Sequence, residues 1–433
     1  MKSYSHLFEI LIDKEGIRQD ILNASKGKRD KKHVIKYAGD LSQIDTKSEK
    51  TPEMENTINR IYDMYINGFE LKRRAKTPIR DGITRKEREI VKPKFFPDQI
   101  MHHGIVRVLT KNLKIDDKGI PENMTGIITD GMYEYSCGCI PGRGAHYGKK
   151  HIEKWIKDDP ASVKYIAKLD IRKFFDSVSV RLLKKLLKNK IKDKEFLIIV
   201  FKFLSLYRTG LVLGFVTSHW FGNFILQIVD YFLKQEVFKD LVEEKRKNYI
   251  AKMTRKGTKN INVPKFKPGV EHMIRYIDDI VIFGRNKKEL HLAVSRLGVF
   301  LKEKLGLILK KNWQIFRFKY TDKVGKIKGR LLDFMGFVFG RDKTTLRKSI
   351  LLRITRKINR IKKKGKVTWH DANSMMSYLG WIWHTDAYNI YLEYIKPHIK
   401  IKTLKKLISK HQKKERMMKL EGMAKGNKQY KTA

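Results

Sequence analysis

Cysteine is nearly absent. Cys137 and Cys139 are the two in 433 residues, one residue apart, which excludes a four-cysteine zinc site and argues against a disulfide framework. Both read as buried free thiols. Long apolar runs are missing too: no stretch approaches the twenty residues a membrane helix needs, and Lys2, Glu9, Asp13 and Lys14 interrupt any signal-peptide pattern at the start. The expectation is a cytoplasmic protein with no membrane partner. Negative charge is scarce, with 46 Asp and Glu against 95 Lys and Arg and a formal charge of +49. That balance favours a polyanionic partner, nucleic acid before any other. The 13 histidines show no zinc-nuclease spacing, and His102-His103 read as packing or RNA-contact residues in preference to metal ligands.

What is present suffices for a folded protein. With 41% hydrophobic residues, the chain can bury the cores of two or three domains. Residues 1–75 place Ile58, Ile61, Tyr62 and Tyr65 at helical spacing, interrupted by a basic loop from Lys26 to Lys32, and predict a basic helical extension. Residues 76–164 read as short strands and turns, with Pro93 and Pro97 as breakers and Pro141-Gly142-Arg143-Gly144 as a cationic loop. Residues 165–342 carry acidic motifs, a long apolar helix from about Phe215 to Lys234, and a basic insertion near 237–270 that includes Lys245, Arg246, Lys247, Lys252 and Arg255. In 343–433, Ile350, Ile354, Ile358 and Ile361 recur at intervals of four and three between Arg353, Arg356, Lys357 and Arg360, one apolar face against one basic face. Trp381, Trp383, Tyr388, Tyr391 and Tyr394 follow and read as core ahead of a base-stacking platform. The tail from Lys410 is basic and poor in large apolar residues, a composition that favours partial disorder.

The chemistry is concentrated in acidic residues. Tyr276-Ile277-Asp278-Asp279 lies between two apolar runs and predicts a hairpin that carries two adjacent carboxylates out of a sheet. Such a pair alone is commonly a solvated turn. A third carboxylate, Asp170, ends the apolar strand of Lys168-Leu169-Asp170-Ile171 and precedes Phe174-Phe175. Three carboxylates on one sheet edge suit two Mg²⁺ ions, with Mn²⁺ as the alternative, because hard cations prefer oxygen ligands. Between the acidic motifs lies Gly210 to Phe224, containing Leu213-Gly214 and Thr217-Ser218-His219; after them come Leu305-Gly306-Leu307 and Phe334-Met335-Gly336-Phe337.

This order and spacing resemble the successive motifs of reverse transcriptases, from about Arg88 to the C-terminal region. The resemblance implies an α+β right-hand polymerase with fingers, an antiparallel palm sheet and a helical thumb. Its implied substrates and partners are deoxynucleoside triphosphates, an RNA template or noncoding RNA, a DNA product, and protein partners left open. By the same resemblance, Asp170, Asp278 and Asp279 are the catalytic and metal-binding carboxylates, with the Ile171 carbonyl completing the shell. Arg88, Lys92, Phe175, Leu213, Gly214 and Lys310 or Lys311 contact the nucleotide: the cations meet the triphosphate, Phe175 closes the space of a 2′-hydroxyl, and the lysine protonates pyrophosphate. Arg143, Ser218, Asn223, Tyr276, Met335, Gly336, Arg353, Arg356 and Arg360 contact nucleic acid, with Tyr276 beneath the primer terminus and Met335-Gly336 as the primer grip. Asp176 reads as a helix cap.

The middle motif departs from the commonest pattern, with Leu213 where the family places glutamine and His219 where it places proline. It looks most like the diversity-generating retroelement enzymes and their relatives, some linked to phage defence, although those usually carry glutamine after the serine. Loss of the amide removes two donors and an acceptor and predicts less stringent nucleotide selection. Two other functions share such a fold: a maturase-like RNA-binding protein without catalysis, and an RNA-templated RNA polymerase. The intact carboxylates argue against the first and Phe175 against the second. No ribonuclease H constellation is visible in the sequence.

Overall fold

The computed structural model describes residues 4–41, 49–80, 87–114, 122–207, 210–256, 258 and 260–429. They form two compact units, one of residues 1–20 and 61–331 and the other of 21–60 and 332–433. The first 75 residues are therefore shared between the two units.

The larger unit is built on a five-stranded sheet. After a hairpin of β1 (Lys76–Arg80) and β2 (Glu87–Val91), the sheet strands are β3 (Ser136–Cys137), β4 (Tyr165–Asp170), β5 (Val270–Tyr276), β6 (Asp279–Gly284) and β7 (Gln314–Arg317), in the order β3-β5-β6-β4-β7. β3 runs parallel to β5, and the other neighbours are antiparallel. β6 reads as an unbroken apolar run because it is central: Ile280, Val281, Ile282 and Phe283 are fully buried. A helix over Lys287–Phe300 packs on the sheet through Leu290, Ala293, Val294 and Leu297, spaced as one helical face. Asn286 caps it, accepting from the Lys288 N–H at 2.9 Å. The predicted apolar helix runs over Val216–Tyr231 and is buried on nearly every side. A small pair, β8 (Tyr320–Thr321) and β9 (Ile327–Lys328), follows β7.

The smaller unit carries an antiparallel sheet of β10 (Leu332–Phe334), β11 (Phe337–Phe339) and β12 (Thr344–Leu346), then helices over Lys348–Lys364, Trp369–Trp383 and Ile401–Gln429. Ile350, Ile354, Ile358 and Ile361 are buried, as their spacing predicts. Lys357 pairs with Asp371 at 2.6 Å, and Asp371 forms a capping box with Thr368. Mixed helices and a mostly antiparallel sheet make this the expected α+β fold.

Several local expectations give way. Residues 76–164 hold two full helices, Ile100–Leu109 and Ala145–Asp158; Ile100, Met101, Ile105, Val108 and Leu109 have helical spacing that the prolines before them obscure. The aromatic cluster is not core: Trp383, Tyr388 and Tyr394 are 46%, 50% and 47% exposed, and Trp381 packs against Phe337. The basic tail continues as helix to Gln429, with residues 430–433 outside the described range. Cys137 is buried and Cys139 exposed. His102 takes the packing role, stacked 4.3 Å from Phe215 and bonded to Thr217 at 2.8 Å; burial pushes its imidazole down to about 3. Among the described residues no helix is long and apolar enough to cross a membrane.

Candidate active site

The acidic hairpin forms where the sequence places it. β5 ends at Tyr276 and β6 begins at Asp279, so Ile277 and Asp278 make a two-residue turn. Ile277 adopts φ 56°, a left-handed conformation that costs a β-branched residue about 1–3 kcal/mol and persists only where its surroundings hold it. The Ile277 N–H donates to the Cys137 carbonyl at 3.1 Å. Across the sheet, Asp170 stands in register with Asp279. The Ile171 N–H donates to the Asp278 carbonyl at 3.3 Å, which draws the segment after β4 against the turn. The three predicted carboxylates thus meet at one end of the sheet.

Charge is costly there. Burial, followed by Asp279 and Asp170, raises the Asp278 carboxyl to about 6. The Tyr276 phenol is raised by burial, then by Cys139, Cys137 and Asp279. Lys310 answers part of this: its ammonium donates to Asp170 Oδ2, and its N–H donates to the Asp170 carbonyl at 2.8 Å. Lys311 is exposed, so of the two lysines it is Lys310 that meets the carboxylates. Asp170 Oδ1 is buried without a hydrogen-bond partner, an orphaned acceptor that a cation would satisfy. The donors are all oxygens, which fits Mg²⁺. Among the described residues, however, no three His, Cys, Asp or Glu side chains already stand in a metal-holding arrangement.

Beside the carboxylates, the chain turns through Lys173 at φ 44° into a helical turn over Phe174–Ser177. Phe174 enters the core, whereas Phe175 is half-buried, 5.2 Å from the Phe174 ring and 5.7 Å from His219. Asp176 lies inside this turn and sits 3.6 Å from Lys76, so it is an ion-pair partner and not a cap. The middle motif packs directly on this corner: the Leu211 N–H donates to the Phe175 carbonyl at 2.6 Å. Half-buried Leu213 accepts at its carbonyl from the Val91 N–H at 2.8 Å. Gly214 adopts φ 110°, and a Cβ there would lie 1.9 Å from the Val91 carbonyl oxygen, so only glycine permits this approach to β2.

The remaining predicted residues divide by exposure. Arg88 and Lys92, on and just after β2, are exposed. Arg143 is half-buried, donating to the Tyr133 carbonyl at 3.2 Å and lying 5.8 Å from the Tyr147 ring. Ser218 and Asn223 are buried at 4% and 0% exposure, and Asn223 spends its amide inside the protein, so neither is placed to meet nucleic acid directly. In the smaller unit, Met335 and Gly336 form the two-residue turn between β10 and β11, both at positive φ, as a type I′ turn requires. Packing also favours glycine at Gly336, whose Cβ would lie 3.0 Å from the Trp381 ring. On the Lys348–Lys364 helix Arg356 and Arg360 are exposed and Arg353 is half-buried.

Sequence reasoning missed Arg275. Its side chain is fully buried beneath the turn and pairs with Asp230 at 2.7 Å. The signal was an arginine flanked by Met273, Ile274 and Tyr276, in a strand otherwise bound for the core.

The family model described as reverse transcriptase (RNA-dependent DNA polymerase) matches residues 97–339, more than half of the chain. No curated protein matches. Among solved structures, telomerase from Candida albicans in complex with a TWJ fragment of telomeric RNA aligns at 11% identity and TM-score 0.36, covering 86% of this chain and 64% of that one. Apo telomerase from Candida tropicalis aligns at 12% identity and TM-score 0.32, covering 49% and 36%. The chain thus spans less than two thirds of the length of these structures, and at such scores the likeness carries no argument about its activity.

Proposed function

Because the chain belongs to the reverse transcriptase (RNA-dependent DNA polymerase) family, we propose that it copies a bound RNA into DNA by nucleotidyl transfer at Asp170, Asp278 and Asp279. The observation that carries this reading is the pairing of Asp170 with Asp279 across β4 and β6, with Asp278 in the turn and Lys310 against Asp170. These three carboxylates, with the Ile171 carbonyl, would hold Mg²⁺ or Mn²⁺. When bound, the metal neutralises phosphate charge and favours the deprotonated primer hydroxyl.

The chain's own residues supply the rest. Lys310 keeps an ammonium beside Asp170, where it offers a proton to departing pyrophosphate. Half-buried Phe175 crowds the sugar and selects deoxynucleotides. Arg88 and Lys92 present cations to the triphosphate from the β1–β2 hairpin and its exit, Arg143 adds another, and Tyr276 lies under the primer end. Met335 and Gly336 shape a primer-facing turn. Arg353, Arg356 and Arg360 track a phosphate backbone. Ser218 and Asn223 act from inside, by packing. Leu213 before Gly214 favours a place among retroelement or defence-associated relatives acting on a specific noncoding RNA, whereas His219, where those relatives usually carry glutamine, departs from the retroelement group itself.

The test is to sequence nucleic acid copurifying with wild-type protein and with an Asp278→Ala, Asp279→Ala variant, before and after adding deoxynucleotides. RNA with both proteins and complementary DNA with the wild type alone is the expected result. RNA with both and DNA with neither would replace the polymerase with an RNA-binding role.

A further inference from the structure

Arg275 uses every donor it has. Its Nε donates to Asp230 Oδ1 at 2.8 Å; Nη2 donates to Asp230 Oδ2 at 2.7 Å and to Ser136 Oγ at 2.9 Å; and Nη1 donates to Asn223 Oδ1 at 3.0 Å and to the Ile277 carbonyl at 3.0 Å. A guanidinium carries five N–H groups, so none is left over. The two bonds to Asp230 already neutralise the charge. The bond to Ile277 is not needed for that, and it reaches the residue immediately before Asp278.

We propose that Arg275 is the positioning residue of the acidic hairpin: it holds the Ile277–Asp278 turn from beneath and so fixes Asp278 and Asp279 for a divalent cation. Ile277 sits at φ 56°, a conformation a β-branched residue leaves unless both its peptide groups are restrained. Both are restrained, the N–H by the Cys137 carbonyl at 3.1 Å and the carbonyl by Arg275. The restraint extends sideways. Ser136 Oγ donates to Asp230 Oδ2 at 2.7 Å, and Asn223 Nδ2 donates to the Gly138 carbonyl at 3.0 Å. Asn223 and Asp230 stand seven residues apart on the Val216–Tyr231 helix, two turns along one face. One buried guanidinium thereby ties the hairpin to that helix and to the segment of β3. Lysine cannot replace it, because a single ammonium has three donors and no planar fork.

The proposal rests on the polymerase reading for the use made of the carboxylates, and its test is kept separate from catalysis. Arg275→Met alone strands Asp230 as a buried charge, so the deciding variant joins Arg275→Met to Asp230→Leu and removes both charges, a replacement that buried pairs often tolerate. The expected result is melting within a few degrees of wild type and unchanged RNA affinity. Mn²⁺ affinity, measured by electron paramagnetic resonance titration, falls about 10–100-fold, and kcat falls more than the nucleotide KM changes. Wild-type Mn²⁺ affinity in the folded double variant overturns the proposal. If that variant does not fold, Arg275→Lys, which keeps Asp230 paired, decides on the same titration. Asp278→Ala gives the reference for lost binding. Wild-type protein that binds Mn²⁺ but copies no RNA retires the polymerase reading and leaves this proposal to the titration; wild-type protein that binds no Mn²⁺ retires both.

Discussion

At Asp278 the folded protein penalises the charge its proposed chemistry requires. The carboxyl rises from 3.8 to about 6 through burial, Asp279 and Asp170. A group bound more tightly to its proton when folded contributes stability below its unfolded pKa and loses it as pH rises through the folded value. Metal-free protein should therefore weaken between about pH 4 and 6 by on the order of 2–3 kcal/mol from this group. Asp278→Asn should erase that loss, being more stable than wild type at pH 8 in chelator while copying no RNA; denaturant titrations at both pH values check it. Phe175 lies at the same corner, half-buried against His219. Phe175→Val should reduce discrimination against ribonucleotides by roughly 10–200-fold, the scale of a lost apolar contact, as incorporation assays with competing nucleotides would show. Leu213→Gln restores an amide and should lower misincorporation; an unchanged error spectrum would retire that idea.

Elements explain which of these residues were legible. The hairpin of β5 and β6 and the end of β4 could be read because apolar runs stop at named carboxylates, and strand periodicity then fixes the faces. The Ile350, Ile354, Ile358 and Ile361 face was read from helical spacing alone. The motif around Asn223 points to nucleic-acid contact, whereas its helix is buried almost throughout and its amide donates to the Gly138 carbonyl. The aromatic cluster misleads in the opposite sense: composition favours core, yet Tyr388 and Tyr394 are half exposed. The contact between β2 and the middle motif is likewise invisible in sequence, because its residues are more than a hundred positions apart. Gly214→Ala would drive a Cβ into the Val91 carbonyl; we expect a loss of about 2–4 kcal/mol by thermal melting and a raised nucleotide KM as β2, carrying Arg88, shifts.

At the scale of the molecule, a formal charge of +49 predicts RNA binding that weakens steeply with salt. Arg356→Ala with Arg360→Ala, both exposed on the Lys348–Lys364 helix, should reduce the slope of log affinity against log salt by about 1–2 with little change in melting temperature. Fluorescence anisotropy over a salt series measures both the slope and the affinity. From the sequence by itself come the family, three carboxylates at the ends of apolar runs and a charge excess that suits a polyanion, because these depend on residue type, local periodicity and net charge. Tertiary structure alone decided which lysine meets Asp170, which aromatic of the Phe174-Phe175 pair stays accessible, and that a buried arginine holds the acidic turn. Each of those depends on segments distant in the chain being packed together, and local sequence does not encode which donors and acceptors such packing will join.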